Sequence, residues 1–580
     1  EGGDLTVRDE RVFLRTLHGL EPVDAILRRL DDDFCDPLEL RPDSTLGVPG
    51  LVQALRAGSV VMANALGSGF LESAAIGGFL PAICERLLGE PLAMPGLQTW
   101  WCGERVVLER VLPELERYVI KPAGPRSRFE PVVAARLAPR ELADWRAAIE
   151  ARPEDHTLQE YLPLSQTPTW QGGRLVPRHA MLRVYAIRDR RSGWRVLPGG
   201  LARIAAHGDP AVSMQRGGSS ADTWVITDGE VDRFSLLPRA LRPEDLAHKR
   251  RVVSARSAEN LFWVGRYSER AEVAGRFAFL VLELINGDEA TPAPLLDAIG
   301  RIAVEAGMVA PEGVRPGPGL RVFERALIAG LAREDGAGSL GFDLAALQRA
   351  AGQIRDRLAP GHWRAILTAR EELRHVAADP VTGALPAGTD VLPVLERVLM
   401  LQSAITGKQT DRMTRDDGWR LLTIGRVLER LIGMAGLLRA MHGSGALACP
   451  EGFALLLHLF DSAITYRAHY QRRIEMVALI DLLVMDVENP RSLASCVTRL
   501  RSGLARLPAP GAAADLRLAD ALPDPQGWQL AQLCERDADG RWLALDALAR
   551  SLIEAAARVS DEIGMRWFAH ADAGYRTMGA

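Results

Sequence analysis

A chain of 580 residues exceeds what one hydrophobic core usually organises, so at least two domains are expected. With 47% hydrophobic and 25% charged residues the composition is globular, and a net charge of -4 from 70 basic and 74 acidic side chains gives no electrostatic case for nucleic acid or an anionic membrane as the main partner. The six cysteines show no CxxC pair or His-rich spacing, which argues against structural zinc and a disulfide framework and fits a reducing cytoplasm; no apolar run reaches the roughly 18 residues a bilayer span needs, and no signal peptide opens the chain.

Residues 1–235 mix short apolar runs, around Ile26, Val61, Ile120, Leu182 and Val196, with Gly and Pro punctuation. Alternating strands and helices, an α/β region, are expected there. Residues 236–253 lose periodicity, carry two prolines and a basic run, and read as a linker. From 254 to 580 apolar residues recur at three- and four-residue intervals, so an all-α helical domain follows. Within it Gly265-Arg266-Tyr267-Ser268-Glu269-Arg270 returns 160 residues later as Gly425-Arg426-Val427-Leu428-Glu429-Arg430, which suggests an internal repeat of two related helical halves.

Only three of the basic residues are lysines, Lys121, Lys249 and Lys408, against 67 arginines. A retained ammonium, compact where guanidinium is broad and planar, poses a chemical question. Lys249 lies in a basic run and Lys408 in a polar helical stretch, where a solvated role suffices. Lys121 ends the apolar run Tyr118-Val119-Ile120 and precedes a polar loop containing Gly124, Arg126, Ser127 and Arg128. A lysine at a strand end beside such a loop can neutralise phosphate oxygens while loop amides and arginines close over them. The stretch Gln159-Glu160-Tyr161-Leu162 offers an acceptor, backbone groups and an apolar stop, as an adenine slot requires, although a glutamate on a strand edge is more often merely solvated.

These stretches, together with Arg28-Arg29-Leu30-Asp31-Asp32-Asp33-Phe34-Cys35-Asp36-Pro37, Asn64-Ala65-Leu66-Gly67-Ser68-Gly69, Thr99-Trp100-Trp101-Cys102-Gly103 and Ser213-Met214-Gln215-Arg216-Gly217-Gly218, resemble the circularly permuted ATP-grasp family, type 2, whose relatives include glutathionylspermidine synthetase-like ligases. The resemblance runs from Glu1 to about Trp224. It implies an ATP-dependent carboxylate-amine ligase that makes an amide or peptide-like bond through an acyl phosphate, with ATP and Mg2+ as cofactors. It places ATP phosphates at Lys121, the covering loop at Gly124, Arg126, Ser127 and Arg128, and adenine along Gln159, Glu160, Tyr161 and Leu162. Arg183 and Arg203 are the arginines assigned to the transferred phosphoryl group or substrate carboxylate, where bidentate donors stabilise charge; an outward arginine on a strand reads equally well for each. Asn64, Gly67, Ser68, Gly69 and Arg216 are assigned to the substrate side, though the glycines could serve turn geometry alone.

In that family the magnesium carboxylates lie upstream of the segment that matches Glu1, so no metal ligand is assigned within these 580 residues, and catalysis by them alone is not expected. Asp31, Asp32 and Asp33 form a dense carboxylate cluster in the first domain, but on a strand consecutive side chains alternate, so at most two would share a side. Ala221 stands where relatives often carry lysine. The rival expectation is a non-catalytic nucleotide-binding or scaffold protein whose helical domain docks partner proteins.

The helical half resembles the alpha-E domain family through Ser257-Ala258-Glu259-Asn260-Leu261-Phe262-Trp263-Val264-Gly265-Arg266-Tyr267, Met413-Thr414-Arg415-Asp416-Asp417-Gly418-Trp419-Arg420 and Asp461-Ser462-Ala463-Ile464-Thr465-Tyr466-Arg467. That resemblance implies little about activity. Arg266 and Glu269, like Arg426 and Glu429, are three apart on one helical face, which reads as a structural ion pair knitting the two halves before a binding cleft. Asp416, Asp417, Asp461, Arg415 and Arg467 are the cleft candidates, with helix capping the alternative for the Asp416-Asp417 pair.

Overall fold

The computed structural model describes residues 2–124, 129–189, 193–206, 212, 217–230, 242–243, 252–287, 290–310, 319–336, 338–378, 382–471, 473–508, 518–538 and 540–569. Arg126, Ser127, Arg128 and Arg216, and most of the linker expected at 236–253, fall outside them.

Two compact units emerge, one formed by Glu1–Ile26, Phe34–Val61 and Lys249–Ala580, the other by Leu27–Asp33 and Met62–His248. The mixed α/β region and the helical region are both present. The N-terminal stretch groups with the helices. Its antiparallel meander of β1 (Leu5–Arg8), β2 (Arg11–Thr16) and β3 (Gly19–Pro22) is followed in the first unit by Asp36, fully buried, whose carboxylate accepts from the backbone N–H groups of Leu38, Gly50 and Val52. Leu17, at the β2–β3 turn, is 1% exposed and belongs to the hydrophobic core of the helices, while its N–H donates to the Val253 carbonyl at 3.2 Å.

The helical core is organised by α1 (Ala255–Ile285), α2 (Leu340–Gly352), α3 (Pro360–Leu373), α4 (Gly388–Asp411), α5 (Asp417–Gly443), α6 (Leu493–Leu504) and α7 (Leu543–Ile563). Side-chain caps start four of them: Ser254, Ser339, Asp416 and Ser492 accept from the N–H of Ser257, Phe342, Trp419 and Ser495. Buried residues surround α1 and α5 instead of lining one stripe, because these two helices run through the middle of the domain. They approach closely where each carries glycine. A Cβ at Gly265 would lie 2.1 Å from the Leu422 carbonyl oxygen, and one at Gly425 would lie 2.3 Å from that of Phe262.

In the second unit one four-stranded antiparallel sheet has the order β4 (Thr99–Trp101), β7 (His156–Glu160), β5 (Tyr118–Pro122), β6 (Val132–Val133). Another runs β8 (Gln166–Gln171), β9 (Arg174–Arg183), β10 (Gly200–Ile204), β11 (Ser219–Thr223). The aspartate cluster is not on a strand, as the alternation argument assumed: Asp32–Phe34 is a single 3-10 turn.

Candidate functional site

Register divides the first sheet into two chemically distinct faces. Lys121 pairs with Thr157, and Val119 with Gln159, which in turn pairs with Thr99, so these five share one side. The opposite face carries Trp100, Tyr118, Ile120 and Leu158, where Ile120 and Leu158 are wholly buried against Leu115 and Ile149 and Trp100 meets Tyr118 edge-on at 5.1 Å. The apolar face anchors the strands, and the polar face holds a relay. Lys121 Nζ donates to Gln159 Oε1 at 2.6 Å, Gln159 Nε2 donates to Thr99 Oγ1 at 3.0 Å, and the Thr99 hydroxyl donates to the Leu97 carbonyl at 2.9 Å. The relay holds the half-buried Lys121 while using one of the ammonium's three donors. Burial holds the Lys121 amine below the ordinary lysine range.

A short 3-10 turn (Ala74–Gly78) lies along this sheet, and a Cβ at Gly78 would come within 2.5 Å of the Thr99 carbonyl oxygen, so only glycine lets the turn sit that close. Ser73 ties its start to the Ala123 carbonyl, beside Gly124. Glu160 points to the other face from Lys121 and is exposed; its N–H donates to the Gln98 carbonyl and that of Tyr161 to Arg117. The structure thus brings Lys121 to Gln159, not to the Glu160 carboxylate, and leaves Leu162 exposed at the strand's exit.

The Asn64 to Gly69 turn is clasped by two side chains from the RRLDDDFCDP motif. Arg28 donates to the carbonyls of Asn64, Ala65 and Leu30 and to Ser68 Oγ, and its Nη1 lies 2.6 Å from Asp32 Oδ1. Asp32 Oδ2 accepts from the N–H groups of Gly67 and Gly69 at 3.1 and 3.0 Å. Asn64 and Gly67 have φ of 60° and 90°, and a Cβ at Gly69 would meet Asp32 Oδ2 at 2.7 Å. These residues therefore shape a defended turn, and one member of the aspartate cluster serves it. Residue spacing alone did not reveal the clasp, although the motif that supplies it was visible.

On the second sheet Arg183 opposes Leu201 and Arg203 opposes Met181, which places the two arginines on one face as diagonal neighbours, roughly 7–8 Å apart at Cα. Arg183 is exposed, with its guanidinium 5.8 Å from the Tyr185 ring centroid, and Arg203 is half-buried. Ser220, paired with Arg203, shares that face. Ala221 sits on the opposite side.

In the helical unit Glu269 and Glu429 each pair with an arginine of the facing helix, so the ion pairs run between α1 and α5. Glu269, 0% exposed, accepts both Nε and Nη2 of Arg430 at 2.6 and 2.7 Å, with Arg491 at 3.5 Å. Glu429 accepts Arg266 at 2.7 Å and Arg270 at 2.6 Å. Each carboxylate reaches across the crossing, where the glycine contacts at Gly265 and Gly425 bring the two helices close. Arg426, 2% exposed, has no hydrogen-bond partner for Nε and Nη1 among the described residues; burial and then Arg430 pull its pKa down to about 10. The cleft candidates have local duties. Asp416 caps α5 and pairs with Arg357, Asp417 pairs with Arg420, Asp461 lies 3.3 Å from Arg276, Arg415 sits over Trp419, and Arg467 bonds the Ala463 carbonyl.

Among the described residues no group of three or more His, Cys, Asp or Glu side chains is placed to hold a metal ion, and no helix is long and apolar enough to cross a membrane.

Residues 1–205 match the family model for the circularly permuted ATP-grasp type 2 domain, and residues 253–568 match Alpha-E, described as a predicted alpha-helical domain with a conserved ER motif. Glu269-Arg270 and Glu429-Arg430 are the two Glu-Arg pairs at the helix crossing. The chain is 30% identical over 524 residues to the uncharacterized protein Rv2567 of Mycobacterium tuberculosis, covering 88% of this chain and 58% of that protein. It is 39% identical over 227 residues to the uncharacterized protein Rv2411c of the same organism, covering 39% of this chain and 41% of the other, and 38% identical over 227 residues to the uncharacterized protein sll0335 of Synechocystis sp., covering 39% and 47%. The chain thus spans little more than half the length of the Rv2567 relative it matches. The polar Lys121 face and the paired Glu-Arg crossing belong to a chain in which a circularly permuted ATP-grasp type 2 domain is followed by an Alpha-E helical domain, and the protein is a member of the Alpha-E family.

Proposed function

We propose that this chain contributes the nucleotide-phosphate face of an ATP-dependent carboxylate-amine ligase that forms an amide or peptide-like bond through an acyl phosphate. The observation that carries the reading is the Lys121–Gln159–Thr99 relay, a compact cation held on the polar side of a sheet within a domain of the ATP-grasp family. ATP-grasp proteins generally bind ATP with Mg2+. A half-buried ammonium with two donors to spare suits phosphate oxygens, and the diagonal Arg183 and Arg203 suit a developing negative charge. Adenine would lie along Gln159, Glu160, Tyr161 and Leu162. Substrate would approach the Asn64–Gly69 turn, whose Gly67 and Gly69 amides are already taken by Asp32, so Asn64 and Ser68 shape the approach. Magnesium carboxylates are expected in the additional length that relatives carry. The bonds crossing between α1 and α5, with mutual glycine contacts at Gly265 and Gly425, support an internal repeat of the helical half, and domains at 1–235 and 254–580 joined by 236–253 remain the proposed sequence division.

Calorimetry with ATP and Mg2+, on this chain joined to the additional length found in its relatives, tests the reading. Lys121→Ala should weaken binding by about 1.5–3 kcal/mol, the range of a hydrogen bond to a charged group. Lys121→Arg should fail to restore it, since a planar fork cannot occupy the position Gln159 holds for an ammonium. Wild-type affinity in both variants would remove Lys121 from the site. Nucleotide binding without amide formation from any carboxylate and amine pair would favour the scaffold reading.

A further inference from the structure

Helices α5 and α6 pack antiparallel. Gly503 of α6 meets Ile424 of α5, where a Cβ would lie 3.2 Å from Cγ1, while Cys496, two turns earlier in α6, lies within electrostatic reach of Arg430, farther along α5. Arg426 and Arg499 fall between those two contacts, one on each helix. Arg426 is 2% exposed, its Nε and Nη1 are buried without a partner, and its side chain forms no hydrogen bond or ion pair among the described residues. Arg499, exposed on α6, forms none among them either. Each lies within electrostatic reach of Arg430 and Glu269. Thr423, one turn before Arg426 on the same face of α5, also has a buried hydroxyl without a partner.

The carboxylates nearby are already engaged. Glu269 takes two bonds from Arg430 and stands 3.5 Å from Arg491, and Glu272 is shared by Arg491 and Arg276, which also lies 3.3 Å from Asp461. Five guanidinium groups therefore face three carboxylates, and the two left over are Arg426 and Arg499. The other cluster at the crossing offers no relief, because Glu429 is held by both Arg266 and Arg270. A guanidinium taken out of water without an answering anion is costly, and burial and then Arg430 pull Arg426 down to about 10, as such a cation should be. Two planar forks and a hydroxyl suit the oxygens of a tetrahedral dianion, whereas a single carboxylate would leave one of the two charges unanswered.

We propose that Arg426 and Arg499 form a binding site for a dianionic oxyanion, a phosphate either free or at the end of a monoester, with Thr423 as a further donor. Arg499 admits the ligand at the surface of α6, and Arg426 receives it beneath. The site belongs to the helical domain, goes beyond the nucleotide reading and does not use Lys121.

Titration calorimetry of the full chain carrying Lys121→Ala, so that the proposed nucleotide-phosphate face does not contribute, tests it with inorganic phosphate, phenyl phosphate and the monoanion dimethyl phosphate near pH 8, at an ionic strength held constant with chloride. Inorganic phosphate should bind with a dissociation constant below about 1 mM, and dimethyl phosphate at least about tenfold more weakly. Phenyl phosphate binding as tightly as inorganic phosphate identifies the ester terminus as the ligand, and its exclusion identifies the free ion. Arg499→Gln, at an exposed position, should weaken phosphate binding at least about tenfold. Arg426→Met should abolish the response to phosphate and raise the melting temperature of the phosphate-free protein, because it removes a buried charge that lacks a partner. Absence of phosphate binding at about 10 mM, equal affinity for dimethyl phosphate, or undiminished phosphate affinity in a folded Arg499→Gln or Arg426→Met protein would overturn the proposal.

Discussion

Replacing Glu269 with Gln removes the carboxylate at the centre of the helix crossing while keeping its size. In the native domain both oxygens are engaged by Arg430 at 2.6 and 2.7 Å, Arg491 stands 3.5 Å away, and Arg426 lies close enough to feel its charge. The substitution leaves several guanidinium groups facing Glu272 alone, in surroundings where Glu269 itself is 0% exposed. Breaking a buried pair by deleting one partner costs about 3–5 kcal/mol, mostly the penalty of the charge left behind. For a urea m-value of about 3 kcal/mol/M, the upper end for small proteins, that loss lowers the helical transition midpoint by roughly 1–1.7 M. Circular dichroism at 222 nm follows the transition. The paired variant Glu269→Met with Arg430→Met should recover part of the loss, since two apolar groups replace two charges, and the recovery measures their coupling. A Glu269→Gln midpoint within about 0.3 M of wild type would refute the view that this carboxylate neutralises the crossing.

The close approach of α1 and α5 predicts that Gly265→Ala and Gly425→Ala each lose at least about 1–3 kcal/mol in the same assay, because the obstructing atoms are carbonyl oxygens of the facing helix and not movable side-chain ends. Gly436→Ala, in the same helix with nothing within 4 Å, should instead gain about 0.5–1 kcal/mol, so a uniform response of the three would dismiss the crossing argument. Asp343 adds a pH dependence: burial raises it to about 7 from its ordinary 3.8, with Arg270 opposing and Glu429 assisting, so the folded state keeps a proton that the unfolded chain has released. Its contribution to stability falls as pH rises from about 4 to 7. His362, pushed down by burial to about 4 from 6.5, acts oppositely between those values, binding its proton only when unfolded and adding stability as pH rises. Asp343→Asn should therefore gain on wild type as pH rises from 4 to 7, measured as the difference in melting temperature, and a difference that stays constant across that range would count against a buried proton on Asp343.

Much of this architecture was legible along the chain. Helical periodicity beyond residue 254, the strand ending at Lys121 and the recurring Gly-Arg and Glu-Arg pattern follow from local preferences that neighbouring residues express. The scarcity of lysine singled out Lys121, and the RRLDDDFCDP motif announced a specific local structure before its purpose was visible. What periodicity could not say was where the first strands belong: Leu17 looks like any short apolar run, yet it is buried among helices more than two hundred residues away.

The polar partnerships required the tertiary structure for the same reason. Gln159 read as part of an adenine slot, but strand register alone puts it on the face of Lys121 and Glu160 on the other, since a shift of one residue exchanges the two sides. Arg266 and Glu269 share a helical face in sequence, yet each bonds a residue of the facing helix, which the glycine crossing brings close. The sequence by itself determined the succession of an α/β domain and a helical domain, the families to which they belong and the residue types available for chemistry, all of which depend on local pattern. Only the folded chain decided which charges neutralise one another and which amides Asp32 occupies, since those depend on distances that no local pattern encodes.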